Sequence, residues 1–255
     1  LQKWLQADAG GDPVELKETI MSGTLYGVGV GPGDPELLTL KAARVLGEVP
    51  VVVFVCTELK GVAGPSMARG IVADHITPDK TEIAIPIEMS EDLGHGRRAY
   101  DAACITISEH LSAGRDVAML CEGDPLLYGS FMYVLERLGS EFKAVTIPGV
   151  SSLGAAAADA NLSLVSRTES LLVVPATIDE ATLQDRLAMT DAAAIFKVGR
   201  HMAKIKRVLG TLGRVDDATY VERASGVDGR VLAFTDAPDK APYFSMVLVT
   251  KRNAP

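Results

Sequence analysis

The chain has 255 residues, 47 % of them hydrophobic, with a formal net charge of −8 and three cysteines. That length suits two modest domains or one large one, and the apolar share excludes a disordered chain. The acidic balance argues against nonspecific nucleic-acid binding, and the chain has no run of about 18 apolar residues from which to build a membrane-spanning helix.

The chain starts at Leu1, yet Met21-Ser22-Gly23-Thr24 reads as a natural start. Residues 1–22 are therefore expected to be an N-terminal extension, with a helical turn or two over Glu15–Ile20 and no chemistry. Asp8, Asp12, Glu15 and Glu18 make this segment unlike a signal peptide. With no export signal and scattered cysteines, the cytoplasm is the expected compartment.

Thr24 to Gly31 reads as a first strand running into Gly31-Pro32-Gly33-Asp34-Pro35. A helix is expected from Pro35 to about Leu46, capped by Asp34 and stopped by Gly47. Pro50 to Cys56 is a continuous β-branched run, the pattern of a strand buried on both faces. Gly64 to His75 reads as helix, Thr81 to Ile85 as strand and Pro86 to Gly96 as a polar loop. Arg97 to Ala113 is an amphipathic helix with Tyr100, Cys104, Ile107 and Leu111 on one face.

The stretch from Asp116 to Ser130 organises the rest. Val117 to Cys121 is a short apolar run, Gly123-Asp124-Pro125 a turn, and 125–138 a helix pattern with Asp124 as its cap. In an open α/β sheet, ligands bind at such a strand end. Glu122 and Asp124 make the turn acidic, and no Lys or Arg lies between Asp116 and Arg137. That composition disfavours phosphate and suits a cationic ligand, or one held by backbone groups.

Phe142 to Ile147 is one more strand, and a domain boundary falls near Pro148-Gly149, giving domains 23–147 and 148–255. An Ala-rich helix over Ser151–Ala160 follows. Strands are expected at Leu171–Pro175, Ala192–Lys197, Ala218–Glu222, Val231–Phe234 and Phe244–Thr250, with helices near Asp179–Met189 and His201–Leu212. Alternating strands and helices predict a mainly parallel first sheet. The last three strands have no helical spacer, which predicts hairpins and a mixed second sheet.

A dinucleotide fingerprint fails in both registers, because Pro32 or Asp34 stands where the third glycine belongs. Close strand packing accounts for Gly27 and Gly29. His75, His95, His110, His201 and the three cysteines show no paired ligand spacing, so no metal site is expected. No nucleophile elbow occurs, and Cys121 reads as a small buried hydrophobe. Arg97, Arg98, Lys197, Arg200, His201, Lys204, Arg223 and Arg230 are scattered on an acidic chain and read mostly as solvated surface; several would hold a substrate's carboxylates if they converge.

Four stretches together resemble the tetrapyrrole methylases. They are Gly-Val-Gly-Pro-Gly-Asp-Pro-Glu-Leu-Leu-Thr (29–39), Glu-Gly-Asp-Pro-Leu-Leu-Tyr-Gly-Ser (122–130), Pro-Gly-Val-Ser-Ser (148–152) and Glu-Arg-Ala-Ser (222–225). They occur in the family's order and spacing, and the resemblance covers Gly23 to Lys251. Within the family, 23–35, 120–133, Ile195 to Arg200 and Tyr243 to Met246 resemble the branch that methylates C20 of precorrin-2. Val55-Cys56-Thr57 departs from relatives that carry an acidic residue there.

The resemblance implies two α/β domains with a cleft between them, a homodimer, and a tetrapyrrole substrate. It implies S-adenosylmethionine as methyl donor and S-adenosylhomocysteine as product. The donor contacts it implies are Pro32, Gly123, Asp124, Leu126, Ser151, Ser152, Lys197, Ala224 and Ser245. The implied reaction converts precorrin-2 to precorrin-3A, with the cobalt-bearing equivalent as the alternative substrate. The reaction needs in-line alignment at about 3–3.5 Å, and Asp34 is the candidate base for the C20 proton. A nucleotide-dependent oxidoreductase and a non-catalytic tetrapyrrole carrier are the readings from other classes.

Overall fold

The computed structural model describes residues 22–59, 62–88 and 93–251. The expected helical turns over Glu15–Ile20 lie outside the described residues, as do 89–92 in the expected loop over 86–96. In chain order the first half runs β1 (Leu25–Gly29), α1 (Leu40–Glu48), β2 (Val51–Leu59), β3 (Val62–Ala63), α2 (Met67–Ile71) and β4 (Thr81–Glu88). It continues with α3 (Leu93–Ser112), β5 (Val117–Cys121), α4 (Phe131–Leu138) and β6 (Ala144–Ile147). The second half holds α5 (Ser152–Asp159), β7 (Leu171–Pro175), α6 (Glu180–Ala188), β8 (Ala192–Phe196) and α7 (Met202–Thr211). It ends with β9 (Ala218–Glu222), β10 (Arg230–Ala233) and β11 (Ser245–Val249).

The first sheet places β5 between β2 and β1, with β6 beyond β1 and β4 beyond β2, all parallel. Only the short β3 runs antiparallel, against the far end of β2. Every residue of β5 is buried, and alternation sends its side chains to two separate cores. Val117 and Met119 join Ile107, Leu111 and Phe131 beneath α3 and α4. Ala118 and Leu120 join Ala42, Leu46 and Val72 on the opposite face. Gly27 lets the Phe131 ring lie flat on β1, since a Cβ there would stand 2.3 Å from a ring carbon. Full burial of Phe131 contributes about 2–3 kcal/mol.

The second sheet has the order β10-β9-β11-β8-β7. Only β7 and β8 pair in parallel. Leu183, Leu187, Ile205 and Leu209 of α6 and α7 cover one face with Tyr220 and Val247. Ala155 and Ala156 of α5 cover the other, against Val221, Met246 and Leu248. The expected parallel first sheet and mixed second sheet are both present. Only β9 and β10 form a hairpin among the last three strands, because β11 inserts between β9 and β8.

Several element boundaries differ from expectation. The helix expected from Pro35 is a 3-10 turn over Pro35–Leu37, and α1 starts afresh at Leu40 with Thr39 Oγ1 accepting from Ala42 N. Gly47 lies inside α1, which ends at Glu48 with Val49 as its cap, just before Pro50. The helix expected from Pro125 begins instead at Phe131. In both places the Gly-Asp-Pro aspartate bonds only two residues ahead. Asp34 Oδ1 accepts from Glu36 N at 2.8 Å and Asp124 Oδ1 from Leu126 N at 2.9 Å. Such a local turn competes with helix initiation. Elsewhere β4 runs on to Glu88 and α3 already starts at Leu93, so the expected loop is much shorter. The expected helix over 64–75 is α2 followed by a 3-10 turn at Ala73–His75.

Candidate active site

The carboxyl ends of β1, β5 and β6 lie at one edge of the first sheet, as their parallel pairing requires. The carboxyl ends of β8 and β9 and the start of β11 lie together at one edge of the second. These two edges meet. Three glycines pack the ends of β1, β5 and β6 closely on the first sheet's side. A Cβ on Gly149 would stand 2.1 Å from the Gly123 carbonyl oxygen, and one on Gly29 would stand 2.5 Å from Gly149 N. Gly123 has φ +65° and donates to the Gly31 carbonyl at 2.8 Å. The result is a cradle of bare backbone that any side chain would fill.

Asp124 ties this cradle together. Its Oδ1 holds the local turn and its Oδ2 accepts from Gly149 N at 3.2 Å, fixing the link between the sheets. Ser151 caps α5, accepting from Gly154 N. A Cβ on Gly123 would reach Ser152 N at 3.4 Å, so the first turn of α5 stands beside Gly123. Pro32 is buried at the β1 end, and a Cβ on Gly33 would meet the Ala224 carbonyl at 3.1 Å. The structure therefore brings Pro32, Gly123, Asp124, Ser151, Ser152 and Ala224 to one place. Leu126 follows on the exposed side of the Asp124 turn.

Lys197 and Ser245 stand differently. Lys197 has φ +56°, is exposed, and carries its Nζ 5.2 Å from the centroid of the Tyr128 ring. Ser245 turns its hydroxyl away from α5. It lies 3.1 Å from Tyr220 Oη and donates to the Pro242 carbonyl at 2.9 Å. The segment before it, Tyr243 and Phe244, is the exposed part, with rings 5.0 Å apart.

The electrostatics are acidic and enclosed. Burial pushes the Glu122 carboxyl up, and its Oε1 accepts from Ala68 N at the start of α2. Burial lifts the Cys121 thiol to about 12, consistent with an inert hydrophobe. Three of the basic residues are held by neighbours in their own half of the chain. Arg230 pairs with Glu222 at 2.6 Å, Arg223 with Asp228 at 3.4 Å, and Lys204 donates to the Ile178 carbonyl. Among the described residues no three His, Cys, Asp or Glu side chains form a group suited to a metal ion.

Asp34, the candidate base, is half-buried at the cleft. Its N–H donates to Ser225 Oγ at 3.1 Å, across 191 residues of sequence. Sequence reasoning did not single out Ser225, Tyr128 or Asp159, although Ser225 and Tyr128 lie inside the quoted motifs. Tyr128 has φ +57° and its ring lies 5.3 Å from that of Phe196. The following Gly129, where a Cβ would meet the Pro125 carbonyl at 2.3 Å, is the sequence signal of that tight turn. A separate hollow of about 470 Å³ lies at the opposite edge of the second sheet, among Thr190, Asp191, Arg214, Asp217 and Lys251. There the Arg214 guanidinium is committed to the carbonyls of Leu187, Thr190 and Asp191.

Fold and site together define an α/β protein of two sheets, one mostly parallel and one mixed, whose edges face each other across a cleft. Residues 24–237 match the family model of the Tetrapyrrole (Corrin/Porphyrin) Methylases. The chain belongs to this family and is a methyltransferase. It is 40% identical to a precorrin-2 C(20)-methyltransferase of Sinorhizobium sp, over 89% of this chain and 95% of the relative. It is 31% identical to the cobalt-precorrin-2 C(20)-methyltransferase of Salmonella typhimurium, over 91% of this chain and 98% of the relative. Among solved structures, the uroporphyrin-III C-methyl transferase of Thermus thermophilus complexed with S-adenosyl homocysteine superposes with a TM-score of 0.63 at 24% identity. That superposition covers 90% of this chain and 92% of the other.

Proposed function

We propose that the protein transfers a methyl group from S-adenosylmethionine to C20 of precorrin-2, giving precorrin-3A and S-adenosylhomocysteine. One observation carries the reading. The four motif stretches, far apart in sequence, converge on a single cleft through the Gly31–Gly123 bridge, the Gly123–Ser152 approach and the Asp34–Ser225 hydrogen bond. The 40% identity to a precorrin-2 C(20)-methyltransferase supports the choice of substrate.

The residues fit the donor. Its sulfonium and α-amino group are positive, and the β5 turn carries Glu122 and Asp124 with no nearby basic residue between Asp116 and Arg137. The Gly29, Gly123 and Gly149 cradle leaves backbone, not side chain, facing the cleft. Pro32, Gly123, Asp124, Leu126, Ser151, Ser152 and Ala224 hold the donor in this reading. Lys197 contributes through its contact with Tyr128, and Ser245 by fixing the segment that carries Tyr243 and Phe244. The donor supplies an electrophilic methyl group. The protein's part is to align and enclose, a role worth several orders of magnitude in rate. Asp34 then accepts the C20 proton. Its Oδ1 serves the local turn, which aims the carboxylate from a fixed backbone.

The chain is read further as two domains, 23–147 and 148–255, and as a cytoplasmic homodimer. The three cysteines are all unpaired and buried, and among the described residues no helix is long and apolar enough to cross a membrane. Exposed Met132, Tyr133, Tyr243 and Phe244 offer apolar surface for a second copy, and light scattering on the purified protein tests it.

The deciding experiment is mass spectrometry of precorrin-2 incubated with the protein and S-adenosylmethionine, beside a cobalt-loaded sample. A one-methyl gain without cobalt is the expected result. A gain only with cobalt moves the enzyme to the metallated substrate, in line with the Salmonella relative. No gain in either sample overturns the substrate.

A further inference from the structure

The loop over 223–226 sits tightly against the Gly33–Asp34 loop. A Cβ on Gly33 would stand 3.0 Å from Gly226 N. Ser225 accepts the Asp34 N–H with its hydroxyl at 3.1 Å and donates its own N–H to Asp159 Oδ2 at 2.6 Å. Arg223 and Ser225 both hold left-handed backbone, at φ +48° and +60°. That conformation is costly for non-glycine residues and persists only where the surroundings enforce it. Asp159 is the last residue of α5, whose first turn stands beside Gly123. Gly123 in turn bonds Gly31, two residues before Gly33. The contacts therefore close a circuit around the cleft: Gly31 to Gly123, along α5 from Ser152 to Asp159, to Ser225, and back to Asp34.

We propose that Asp159 and Ser225 are positioning residues that latch the first domain to the second and so set the width of the donor cleft and the place of Asp34. Neither needs to touch the donor. Asp159 is exposed and far from β5 in sequence, and it acts through Ser225. Ser225 acts through the backbone of Asp34. Two independent features support a latch over ordinary loop packing. The Asp159 carboxylate bonds a backbone N–H in strained left-handed geometry, where a charge-assisted hydrogen bond is stronger than a neutral one. The Ser225 hydroxyl meets a backbone group of the other domain, across 191 residues. The latch rests on the donor-binding reading above.

The test is a double-mutant cycle on the intact protein, with S-adenosylhomocysteine affinity from calorimetry and initial rates with S-adenosylmethionine and precorrin-2. Ser225→Ala keeps the Cβ and removes only the hydroxyl. It is expected to weaken S-adenosylhomocysteine roughly tenfold, the net worth of one hydrogen bond at the upper end of its range. Donor KM rises by a similar factor, while kcat changes less. Asp159→Ala does the same, the double variant is no weaker than either single one, and Asp159→Asn, which keeps an oxygen acceptor, restores affinity. Melting temperatures, measured in parallel, are expected to stay close to the parent's. Parent-like affinity in Ser225→Ala, additive losses in the double variant, or losses that merely track a falling melting temperature would each overturn the latch. The calorimetric arm contains no tetrapyrrole. A parent protein that binds S-adenosylhomocysteine but leaves precorrin-2 unmethylated refutes the substrate assignment alone.

Discussion

Tyr128 and Lys197 face each other across the cleft, one after β5 of the first sheet and one after β8 of the second, both in left-handed backbone, with the Lys197 ammonium 5.2 Å from the Tyr128 ring centroid. Phe196 packs against the same ring, tilted at 47° with the centroids 5.3 Å apart. A cation–π contact at an exposed site is worth about 0.5–1 kcal/mol. Lys197→Ala is therefore expected to weaken donor binding about two- to fivefold. Tyr128→Ala, which also loses Phe196, is expected to weaken it further, and Tyr128→Phe, which keeps the ring, to weaken it least. Calorimetry with S-adenosylhomocysteine ranks the three, and any other order refutes the contact's role.

The glycine cradle makes a prediction about stability. Gly149→Ala places a methyl group 2.1 Å from the Gly123 carbonyl oxygen, against backbone and not against a movable side chain. The sheet ends must separate. The expected loss is about 1–3 kcal/mol, read by urea denaturation, together with loss of donor binding in the protein that still folds. Undiminished donor affinity would show that the close approach does not shape the site.

Asp34→Asn separates the turn from the base. The amide oxygen still accepts from Glu36 N, so the 3-10 turn and the Ser225 bond persist. Loss of the base is expected to lower kcat roughly a hundredfold or more, with donor affinity and melting temperature close to the parent. A parent-like kcat would leave Asp34 as a turn residue only.

Glu122 gives a pH dependence of definite sign. Burial raises its folded pKa above the unfolded one, so the charged form is penalised only in the folded state. The penalty is absent when both states are protonated, below the ordinary carboxylate range. It grows as pH rises through the unfolded value toward the raised one. Glu122→Gln keeps the oxygen that accepts from Ala68 N. It is expected to melt at a higher temperature than the parent at neutral pH and at the same temperature in acid. It is also expected to bind the cationic donor more weakly than S-adenosylhomocysteine, which lacks the sulfonium charge. Melting curves across pH and calorimetry with both ligands check the two halves separately.

The local chemistry of the chain was enough to mark its frame. Unbroken β-branched or apolar runs at 51–56 and 117–121 can be stable only as buried strands, and both are. Tyr100, Cys104, Ile107 and Leu111 fall on one face by the helical period and all four are buried. The four motifs were visible as residue strings. What the residues on either side of Gly-Asp-Pro build was not, because Asp34 and Asp124 spend their carboxylates on a turn two residues long. The helices then wait for Thr39 and for Phe131.

The contacts that make the site belong to the tertiary structure. Asp34 with Ser225, Tyr128 with Lys197, and Ser225 with Asp159 join segments tens to nearly two hundred residues apart, and no periodicity encodes a partner. The direction of Ser245 was likewise set only when Tyr220 stood beside it in the second sheet. Sequence determined which segments are strands, which faces are apolar and which turns are acidic, since those depend on neighbours within a few residues. Packing two sheets edge to edge decided which of those turns share a cleft.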